Sequence, residues 1–380
     1  MKFLHISDLH LGKRLNEFPL IEDQQFILLK ILQCIDSQKP DAVLIAGDVF
    51  DKGIPPVEAI KLFDDFLCRL AERKLEVFII SGNHDSAERM TCGASLMEAS
   101  GIHFAKAYDG KSTHWQLNDS EGPLNIYLLP FIKPAVVKAV FPEEAEQIET
   151  YTDAVRLAVK KMEVDFSERN ILVAHQFVTG STRCDSEDVT VGGLDNVDAD
   201  VFKNFDYVAL GHLHGCQKAG GDNIRYSGTP LKYSFSEVLH KKGGLIVELG
   251  KKGQLSVEQV LFEPLRDMRE IRGTYNELTL KKNYENTAVD DYLHITLTNQ
   301  EEIPEGFARL SLIYKNLLRL DYDNARTKAD NNIQGAADID KLSPLELFEK
   351  FYELQNNQPF TAEQKELVQN LMEEIWGGEK

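Results

Sequence analysis

Residues 42–51 read AVLIAGDVFD, and residues 76–85 read EVFIISGNHD. Each stretch is a short apolar run, rich in β-branched residues, that ends at a polar motif containing glycine. Such runs are typical of strands buried on both faces of a parallel sheet. Helical spacing of apolar residues at about 22–37 and 56–73, after a strand pattern at 2–6, completes a βαβαβ order. The sequence therefore predicts an α/β fold.

The second half of the chain repeats this organisation. Strands are predicted at 124–129, 170–174 and 206–210. Hairpin-like runs follow at 223–227, 244–249 and 255–262. Two sheets packed face to face, with helices outside, accommodate this order. We therefore expect a four-layer α/β/β/α sandwich over residues 1–264.

Polar motifs follow five of the predicted strands, at the ends where functional loops of parallel sheets collect. They are Asp8-Leu9-His10, Gly47-Asp48-Val49-Phe50-Asp51, Gly82-Asn83-His84-Asp85, Ala174-His175-Gln176 and Gly211-His212-Leu213-His214. Together they supply two aspartates, one asparagine and four or five histidines as ligands. That is enough to hold two divalent metal ions side by side, an arrangement that brings a phosphate ester and a water together. Any one motif is a weak signal, and the ordered set is the specific one.

The donor types indicate the chemistry of the site. Carboxylate, amide and imidazole together suit Mn²⁺, Fe²⁺ or Zn²⁺ better than Ca²⁺ or Mg²⁺. The two oxygens of Asp48 can bridge two ions, which lie about 3.5–4 Å apart in sites of this kind. We interpret His84, next to Asn83, as the general acid or a phosphate-contacting residue. Asp51 and Asp85 are candidates to orient imidazoles from behind.

Composition limits the class of protein. The 380 residues contain no run of about 18 apolar residues, the length that a membrane span requires. The opening residues read as a strand, and the five scattered cysteines form no CxxC pair, so we expect a cytosolic protein without a zinc–thiolate site. The net charge of −19 argues mildly against nucleic acid as a ligand. Bound cations or a partner protein would supply positive charge.

The character of the chain changes near Glu263-Pro264. Strand patterns at 268–273 and 292–298, with a helix ending near residue 302, follow this point. None of the chemical motifs recurs there. We therefore predict a small α+β accessory domain over residues 265–325.

A polar stretch at 326–340 reads as a linker, and a helical segment at 341–380 follows it. Ser343-Pro344-Leu345-Glu346 and Thr361-Ala362-Glu363-Gln364 each carry the signals that open a helix. The two helices share an apolar face. That face is typical either of ordinary packing or of a site for a partner protein.

The five motifs resemble the signature of the calcineurin-like metallophosphoesterase superfamily: D-x-H, GD-x-x-D, GNH-D, H and GH-x-H. Longer stretches resemble the SbcD family, the nucleases of bacterial SbcCD complexes. They are FLHISDLHLGKRLNE, LIAGDVFDKGIPPVEA, VFIISGNHDSAERM, YVALGHLHGCQ and IRYSGTPLKYSFSE. The resemblance covers residues 1–265 clearly and extends more loosely through the rest of the chain.

This resemblance implies a role for each candidate residue. One metal ion would be held by Asp8, His10, Asp48 and His214, and the other by Asp48, Asn83, His175 and His212. His84 matches the catalytic histidine that assists the leaving group. At Asp51 the chain departs from the pattern of the archaeal and eukaryotic members, which have a second histidine nearby. The bacterial members look like this chain at that position.

The resemblance also implies an activity and a setting. The family's enzymes use two Mn²⁺ ions, with Mg²⁺ or another divalent metal as an option, and cleave DNA. They act as 3′→5′ exonucleases on double strands and as endonucleases on hairpins, single strands or blocked ends. Residues 265–325 would be a capping domain, and residues 341–380 would bind an SMC-like ATPase, SbcC. The implied assembly is a homodimer within a heterotetramer, cytoplasmic and nucleoid-associated, in DNA repair, recombination and replication.

Two other functions compete with this interpretation. The same motifs serve stand-alone two-metal phosphodiesterases and phosphatases that act on small substrates. The tail helices and the stretch SGTPLKYSFSE favour the nuclease, because a small-substrate enzyme has little use for either. A scaffold without activity is disfavoured, because no ligand position is missing.

Overall fold

The computed structural model describes residues 1–16, 18–111, 113–182, 187, 195–324, 344–356 and 358–377. The chain divides into two compact units, Met1–Asp267 and Met268–Lys380. The predicted linker at 326–340 lies outside the described residues, so the domain boundaries drawn around it stay a prediction.

Strands and α-helices alternate up to about residue 175, and strands predominate in the rest of the first unit. The strands are β1 (Lys2–Ile6), β2 (Arg14–Leu15), β3 (Phe18–Pro19), β4 (Ala42–Ala46), β5 (Glu76–Ile80), β6 (Ile102–Phe104), β7 (Thr113–Asp119), β8 (Gly122–Leu129), β9 (Arg169–His175), β10 (Phe177–Val178), β11 (Asn196–Val197), β12 (Tyr207–Gly211), β13 (Gln217–Lys218), β14 (Ile224–Tyr226), β15 (Gly243–Leu249), β16 (Leu255–Leu261), β17 (Met268–Gly273), β18 (Tyr292–Leu297) and β19 (Leu317–Tyr322). The helices are α1 (Ile21–Gln38), α2 (Val57–Glu72), α3 (Ala87–Met90), α4 (Ala94–Met97), α5 (Pro134–Val140), α6 (Tyr151–Lys161), α7 (Tyr275–Thr279), α8 (Lys281–Tyr284), α9 (Gly306–Ser311), α10 (Pro344–Asn356) and α11 (Ala362–Gly377).

The first sheet has the strand order β16-β15-β1-β4-β5-β6. Strands β1, β4, β5 and β6 run parallel, while β15 is antiparallel to β1 and pairs with β16 as a hairpin. Helices α1 and α2 connect the parallel strands, which confirms the predicted βαβαβ order.

The second sheet has the order β13-β14-β12-β9-β8-β7. Its centre is parallel, and β7 and β13 close its two edges in antiparallel pairs. The sequence patterns did not predict β7. This edge strand has no fully buried residue, and its partly exposed pattern gives only a weak apolar signal.

Side chains from the two sheets form one core between them, including Leu44, Ile126 and Val173. The opposite face of the second sheet packs against α6, as Leu172 does against a cluster that includes Val155. Val43, on the opposite face of β4 from Leu44, is also fully buried. The strands are thus covered on both faces, and the four-layer α/β/β/α sandwich is confirmed.

The second unit contains a three-stranded parallel sheet in the order β17-β18-β19. Its core is apolar and includes Leu293, Ile295, Leu310 and Leu317. The prediction of a helix ending near residue 302 is wrong, because helices α7 and α8 precede β18 and α9 follows it. The reciprocal hydrogen bonds of the Thr274 capping box start α7, a signal that the apolar pattern alone does not reveal.

Helices α10 and α11 occupy the region where two helices were predicted. Thr361 and Gln364 exchange the reciprocal hydrogen bonds of a capping box, at 3.0 and 3.2 Å, at the start of α11. Ser343, the predicted N-cap of α10, lies outside the described residues. Among the helices that the structure describes, none is long and apolar enough to cross a membrane.

Candidate metal centre

The carboxyl ends of five strands bring the predicted motifs together. Strands β1, β4 and β5 end side by side in the first sheet, and β9 and β12 do so in the second. The backbone N–H of Asp8 donates to the Gly47 carbonyl at 3.0 Å. His175 Nδ1 donates to the Ala46 carbonyl at 2.8 Å and so joins the second sheet to the first. Side chains from both sheets therefore meet at one edge of the sandwich.

Three of the predicted ligands form a first buried group, Asp8, His10 and His214. One potential ligand atom from each lies within 4.8 Å of the others. The Nε2 atoms of His10 and His214 are 3.2 Å apart. His214 Nδ1 lies 3.2 Å from the Glu237 carboxylate and so carries a proton, because a carboxylate oxygen accepts. The Nε2 atom of a neutral His214 then presents its lone pair to the group.

A second group contains His175, His212 and Asn83. The Asn83 Oδ1 atom lies 3.0 Å from both His175 Nε2 and His212 Nδ1. His175 Nε2 is also 3.3 Å from the Asp48 carboxylate. Three donor atoms of the types that a divalent metal prefers thus converge beside Asp48.

Asp48 belongs to both halves of the site. Its carboxylate forms one close group with Asp8 and His175, and another with His10 and His84. It is almost fully buried. The carboxylate that the sequence marks as a bridge between two ions therefore lies between the two sets of imidazoles.

His84 stands at the more open side of the site, with its side chain 19% exposed. Its backbone N–H donates to Asp48 Oδ1 at 2.9 Å, and its Nδ1 donates to the Asp51 carbonyl at 2.9 Å. Because a carbonyl only accepts, the proton is on Nδ1 in the neutral ring. Nε2 then lies 4.0 Å from the Asp48 carboxylate and faces the group of ligands.

Burial and charge shift the pKa values of these groups in opposite directions. Burial raises the pKa of Asp8 to about 6 and holds that of His10 well below its usual value. Burial acts to raise the pKa of Asp48, but the hydrogen bond from His175 and the charges of His175, His10 and His84 together outweigh burial and hold that pKa well below its usual range. Burial acts to lower the pKa of His175, but Asp48, Asp8 and the hydrogen bond to the Ala46 carbonyl together outweigh burial and raise that pKa to about 9. The His175 ring thus carries a proton at Nε2, where a bound cation would replace it.

The two acidic residues expected behind the ligands act differently from the prediction. The Asp51 carboxylate accepts from Lys13 at 2.7 Å and lies 3.8 Å from His10 Nδ1, which is too long for a hydrogen bond. Its backbone carbonyl, not its side chain, orients His84. Asp85 accepts from the backbone N–H groups of Val49, Phe50 and Gly82, at 2.9–3.1 Å, and thereby fastens two of the motif loops together.

Further residues, which lie outside the five motifs, support the ligands. The Glu237 carboxylate accepts a hydrogen bond from His214 Nδ1, and the Gln24 side chain donates to the His10 carbonyl at 2.7 Å. The Tyr233 ring packs 5.5 Å from the His10 ring and 6.1 Å from that of His214, measured between centroids. Glu237 and Tyr233 both fall in SGTPLKYSFSE, so the resemblance carried a signal that periodicity did not.

Three glycines of the motifs permit close contact between the strand ends. A Cβ atom at Gly82 would lie 2.1 Å from Asp48 Oδ1, and one at Gly211 would lie 1.9 Å from the Ala46 carbonyl oxygen. Gly47 combines a φ of +85° with a distance of 2.5 Å to His175 Nδ1. Glycine is required because backbone and ligand approach one another more closely than any side chain allows.

The site fits a divalent cation on its own chemistry. Asp8, His10, Asp48, His175 and His214 are all buried, yet they place two carboxylates and several imidazole nitrogens within a few ångströms. Burying such groups without a compensating charge is costly. Carboxylate and imidazole are donors that Mn²⁺, Fe²⁺ and Zn²⁺ accept.

Comparison with known families agrees with the fold and the site. Residues 1–216 match the family described as calcineurin-like phosphoesterases. The match covers more than half of the chain and all five motifs. The chain belongs to the calcineurin-like phosphoesterase family, and it is a metal-dependent phosphodiesterase.

The rest of the chain narrows the relationship. Residues 264–356 match SbcD_C, described as the type 5 capsule protein repressor C-terminal domain. The chain is 32% identical over 381 residues to SbcD, the nuclease of the SbcCD complex, from Staphylococcus epidermidis, and the match covers 98% of each protein. It is therefore homologous to SbcD, as its sequence predicted.

Solved structures provide a more distant comparison. A dimetal phosphatase from Danio rerio aligns with 70% of this chain and 98% of its own, at 10% identity and a TM-score of 0.41. Yfce, a phosphoesterase from E. coli, aligns with 65% of this chain and 88% of its own, at 13% identity and a TM-score of 0.28. The family assignment rests on the sequence matches.

Proposed function

We propose that this protein is a two-metal, Mn²⁺-dependent DNA nuclease that acts with an SMC-like ATPase of the SbcC type. The observation that carries the proposal is the similarity to the SbcD nuclease of an SbcCD complex, which spans 98% of both chains and so includes the C-terminal domain. The activities we infer are 3′→5′ exonuclease on double-stranded ends and endonuclease on hairpins and single strands.

The proposed ligand sets follow the two halves of the site. Asp8, His10, Asp48 and His214 would hold one ion, and Asp48, Asn83, His175 and His212 would hold the other. The close approach of these atoms supports the assignment. Bound metal ions supply an activated water and neutralise the charge that develops on the phosphate.

The chain's own residues would orient the reactants and move a proton. The Asp51 carbonyl fixes the His84 ring through Nδ1, which leaves Nε2 directed toward the site. From there His84 would protonate the leaving oxygen of the cleaved phosphodiester, the role of a general acid. Asp48 would keep the two halves at a fixed separation.

DNA must approach a strongly acidic chain, since the net charge is −19. Two divalent ions would add about four positive charges at the cleft, and an ATPase partner would supply a basic surface. We infer a complex of two copies of this chain with two copies of the ATPase, located with the nucleoid in the cytoplasm and serving DNA repair, recombination and replication. The nuclease activity of that complex would be either independent of ATP or gated by ATP.

The tail helices support the partner proposal. Phe351 and Leu367 are 58% and 60% exposed, and Phe348 and Leu371 are also exposed. An amphipathic helix with uncovered apolar anchors is suited to a groove or coiled coil of another protein.

A comparison of two substrates tests the activity. We expect the purified chain with Mn²⁺ to cut a hairpin oligonucleotide, with Mg²⁺ tested alongside. The same preparation is given a small chromogenic phosphodiester. The variant His84→Ser, which should bind Mn²⁺ and DNA but not cleave, controls for contaminating nuclease. Strong turnover of the small ester with no cleavage of DNA would instead identify a small-substrate phosphodiesterase.

A further inference from the structure

His214 differs from His175 and His84 in the group that accepts a hydrogen bond from its Nδ1 atom. His175 and His84 each rest on a backbone carbonyl, of Ala46 and Asp51 respectively. His214 rests on the carboxylate of Glu237, 3.2 Å from Nδ1. A carboxylate behind an imidazole fixes its tautomer and increases its strength as a metal ligand.

The Glu237 carboxylate is itself held on both oxygens. Oε1 accepts from His214 and from the backbone N–H of Tyr233 at 3.3 Å, and Oε2 accepts from Lys242. Lys242 also donates to the His214 carbonyl at 2.8 Å and to the Thr229 hydroxyl at 2.6 Å. Glu237 is fully buried and Lys242 nearly so.

The backbone of the segment around these residues is fixed by close packing. Gly228, with a φ of +73°, brings its chain so near that a Cβ atom would lie 2.8 Å from the His214 carbonyl oxygen and from the Cys216 nitrogen. The Thr229 N–H donates to the same carbonyl at 3.2 Å. The segment that contains Gly228, Thr229 and Glu237 therefore contacts both the side chain and the backbone of His214.

We propose that Glu237, held by Lys242, is a positioning residue that directs His214 Nε2 toward Asp8 and His10 and thereby sets the metal affinity of that half of the centre. The inference rests on the ligand sets given under the proposed function. Glu237 lies behind His214 and acts through it.

Magnitudes distinguish this role from simple structural support. A partner behind a metal ligand typically changes metal affinity about 10- to 100-fold when it is removed. An ion pair elsewhere in the fold changes stability without affecting one ion selectively. Arg169, which is buried, and Asp119 form such a pair at 2.6 Å, at the opposite end of β9 from His175. Asp119→Asn is therefore the matched control for Glu237→Gln.

The test is a calorimetric titration of the metal-free full-length chain with Mn²⁺ alone. The visible absorption of the Co²⁺-loaded protein reports on ligand geometry. We expect the unmodified chain to bind two ions. Glu237→Gln should weaken one of them about 10- to 100-fold and leave the other unchanged, with a matching change in part of the Co²⁺ spectrum. Asp119→Asn should lower the unfolding temperature and leave both affinities unchanged.

Each alternative result overturns a defined statement. Two unchanged affinities in Glu237→Gln, or an equal loss at both ions, would refute the positioning role while the ligand sets survive. Fewer than two ions in the unmodified chain would refute the ligand sets and the inference together. If Glu237→Gln fails to fold, Glu237→Asp keeps the charge beside Lys242 but withdraws it from His214. The same selective loss is then expected, and full affinity at both ions would refute the role.

Discussion

Four of the proposed ligands lie on backbone that L-amino acids seldom adopt. The φ angles are 54° at Asp8, 44° at His10, 48° at Asp48 and 106° at His212. Aspartate and histidine enter the left-handed region more readily than most residues, but each such position costs about 1–3 kcal/mol. Backbone strain of this kind persists where the surrounding structure enforces it, which is typical of functional sites. Here it turns Asp8 and His10, two residues apart, into the same cleft.

His5 predicts how the stability of the sandwich depends on pH. Its ring is fully buried, and its Nδ1 lies 2.8 Å from the Tyr207 hydroxyl across the two sheets. Burial lowers the pKa of His5 from 6.5 to about 3. Between those values the unfolded chain binds a proton that the folded chain does not. Stability should therefore fall as the pH drops below 6.5, by about 1.4 kcal/mol per pH unit.

The variant His5→Gln isolates this effect, because glutamine does not titrate and can still bond to Tyr207. Denaturant unfolding at pH 7 and pH 5 would measure the free energy of unfolding. We expect the unmodified chain to lose about 2 kcal/mol more than the variant over this interval, since all other groups titrate in both. Equal losses in the two proteins would contradict the assignment.

At the scale of single residues, the sequence indicates which side chains belong to the site better than it indicates which groups they bond to. It marked Asp51 and Asp85 as candidates to orient imidazoles. Their carboxylates bond to Lys13 and to backbone N–H groups, at 2.7 Å and at 2.9–3.1 Å. A motif specifies which side chain is present, whereas its partner depends on the local course of two loops.

At the scale of elements, glycine sets how closely the strand ends approach. A residue larger than glycine at position 211, the end of β12, would overlap the carbonyl of Ala46 at the end of β4. These strands belong to different sheets, so the spacing of the two layers at the metal centre depends on this contact. At Gly82 and Gly211 the requirement is steric.

This contact predicts the effect of Gly211→Ala. The added Cβ would lie 1.9 Å from Ala46 O and 2.7 Å from His175 Nδ1, so the two sheets must separate locally. We expect a loss of about 1–3 kcal/mol in the free energy of unfolding, as for other overpacked sites, together with weaker metal binding. Calorimetric titration with Mn²⁺ and denaturant unfolding would measure both.

Gly53→Ala is the matched control for this prediction. A Cβ atom there meets its nearest neighbour, the His84 carbonyl oxygen, at 3.7 Å, which is ordinary contact. This variant should bind metal and unfold like the unmodified chain. Normal metal binding by Gly211→Ala would show that the two layers can separate without disturbing the ligands.

The segment between β14 and β15 has a distinctive sequence because its residues contact the metal centre. Ser227 Oγ lies 2.8 Å from Ser7 Oγ, next to Asp8. Further along, Gly228, Thr229 and Glu237 surround His214. One segment therefore supports both sides of the first ligand group. Its residues are fixed by contacts with the site and not by a helical or strand period.

At the scale of the whole molecule, the proposed ligands all lie in the unit Met1–Asp267, while the proposed partner site lies in Met268–Lys380. Removal of residues 341–380 should therefore leave Mn²⁺-dependent hydrolysis of phosphodiesters intact. It should also abolish association with an SMC-like ATPase. Co-purification of the two proteins and the hairpin assay would measure the two properties separately.

A milder pair of variants controls for damage caused by truncation. Phe351→Ala and Leu367→Ala remove exposed apolar side chains from α10 and α11, which should cost little stability and weaken the association. Undiminished co-purification of the truncated chain with the ATPase would refute the proposed role of the tail.

By itself the sequence determined the layers, the order of the principal strands and the family of this protein. Apolar periodicity and short motifs are local, and the five motifs at the ends of parallel strands have one common meeting place. It did not reveal β7 or β19, where partial exposure blurs the pattern. Only the tertiary structure decided which group lies behind each imidazole, why Gly211 admits no side chain, and how Glu237 and Lys242 surround His214. Those contacts join loops and sheets that are distant along the chain, and local sequence carries no measure of the distance between them.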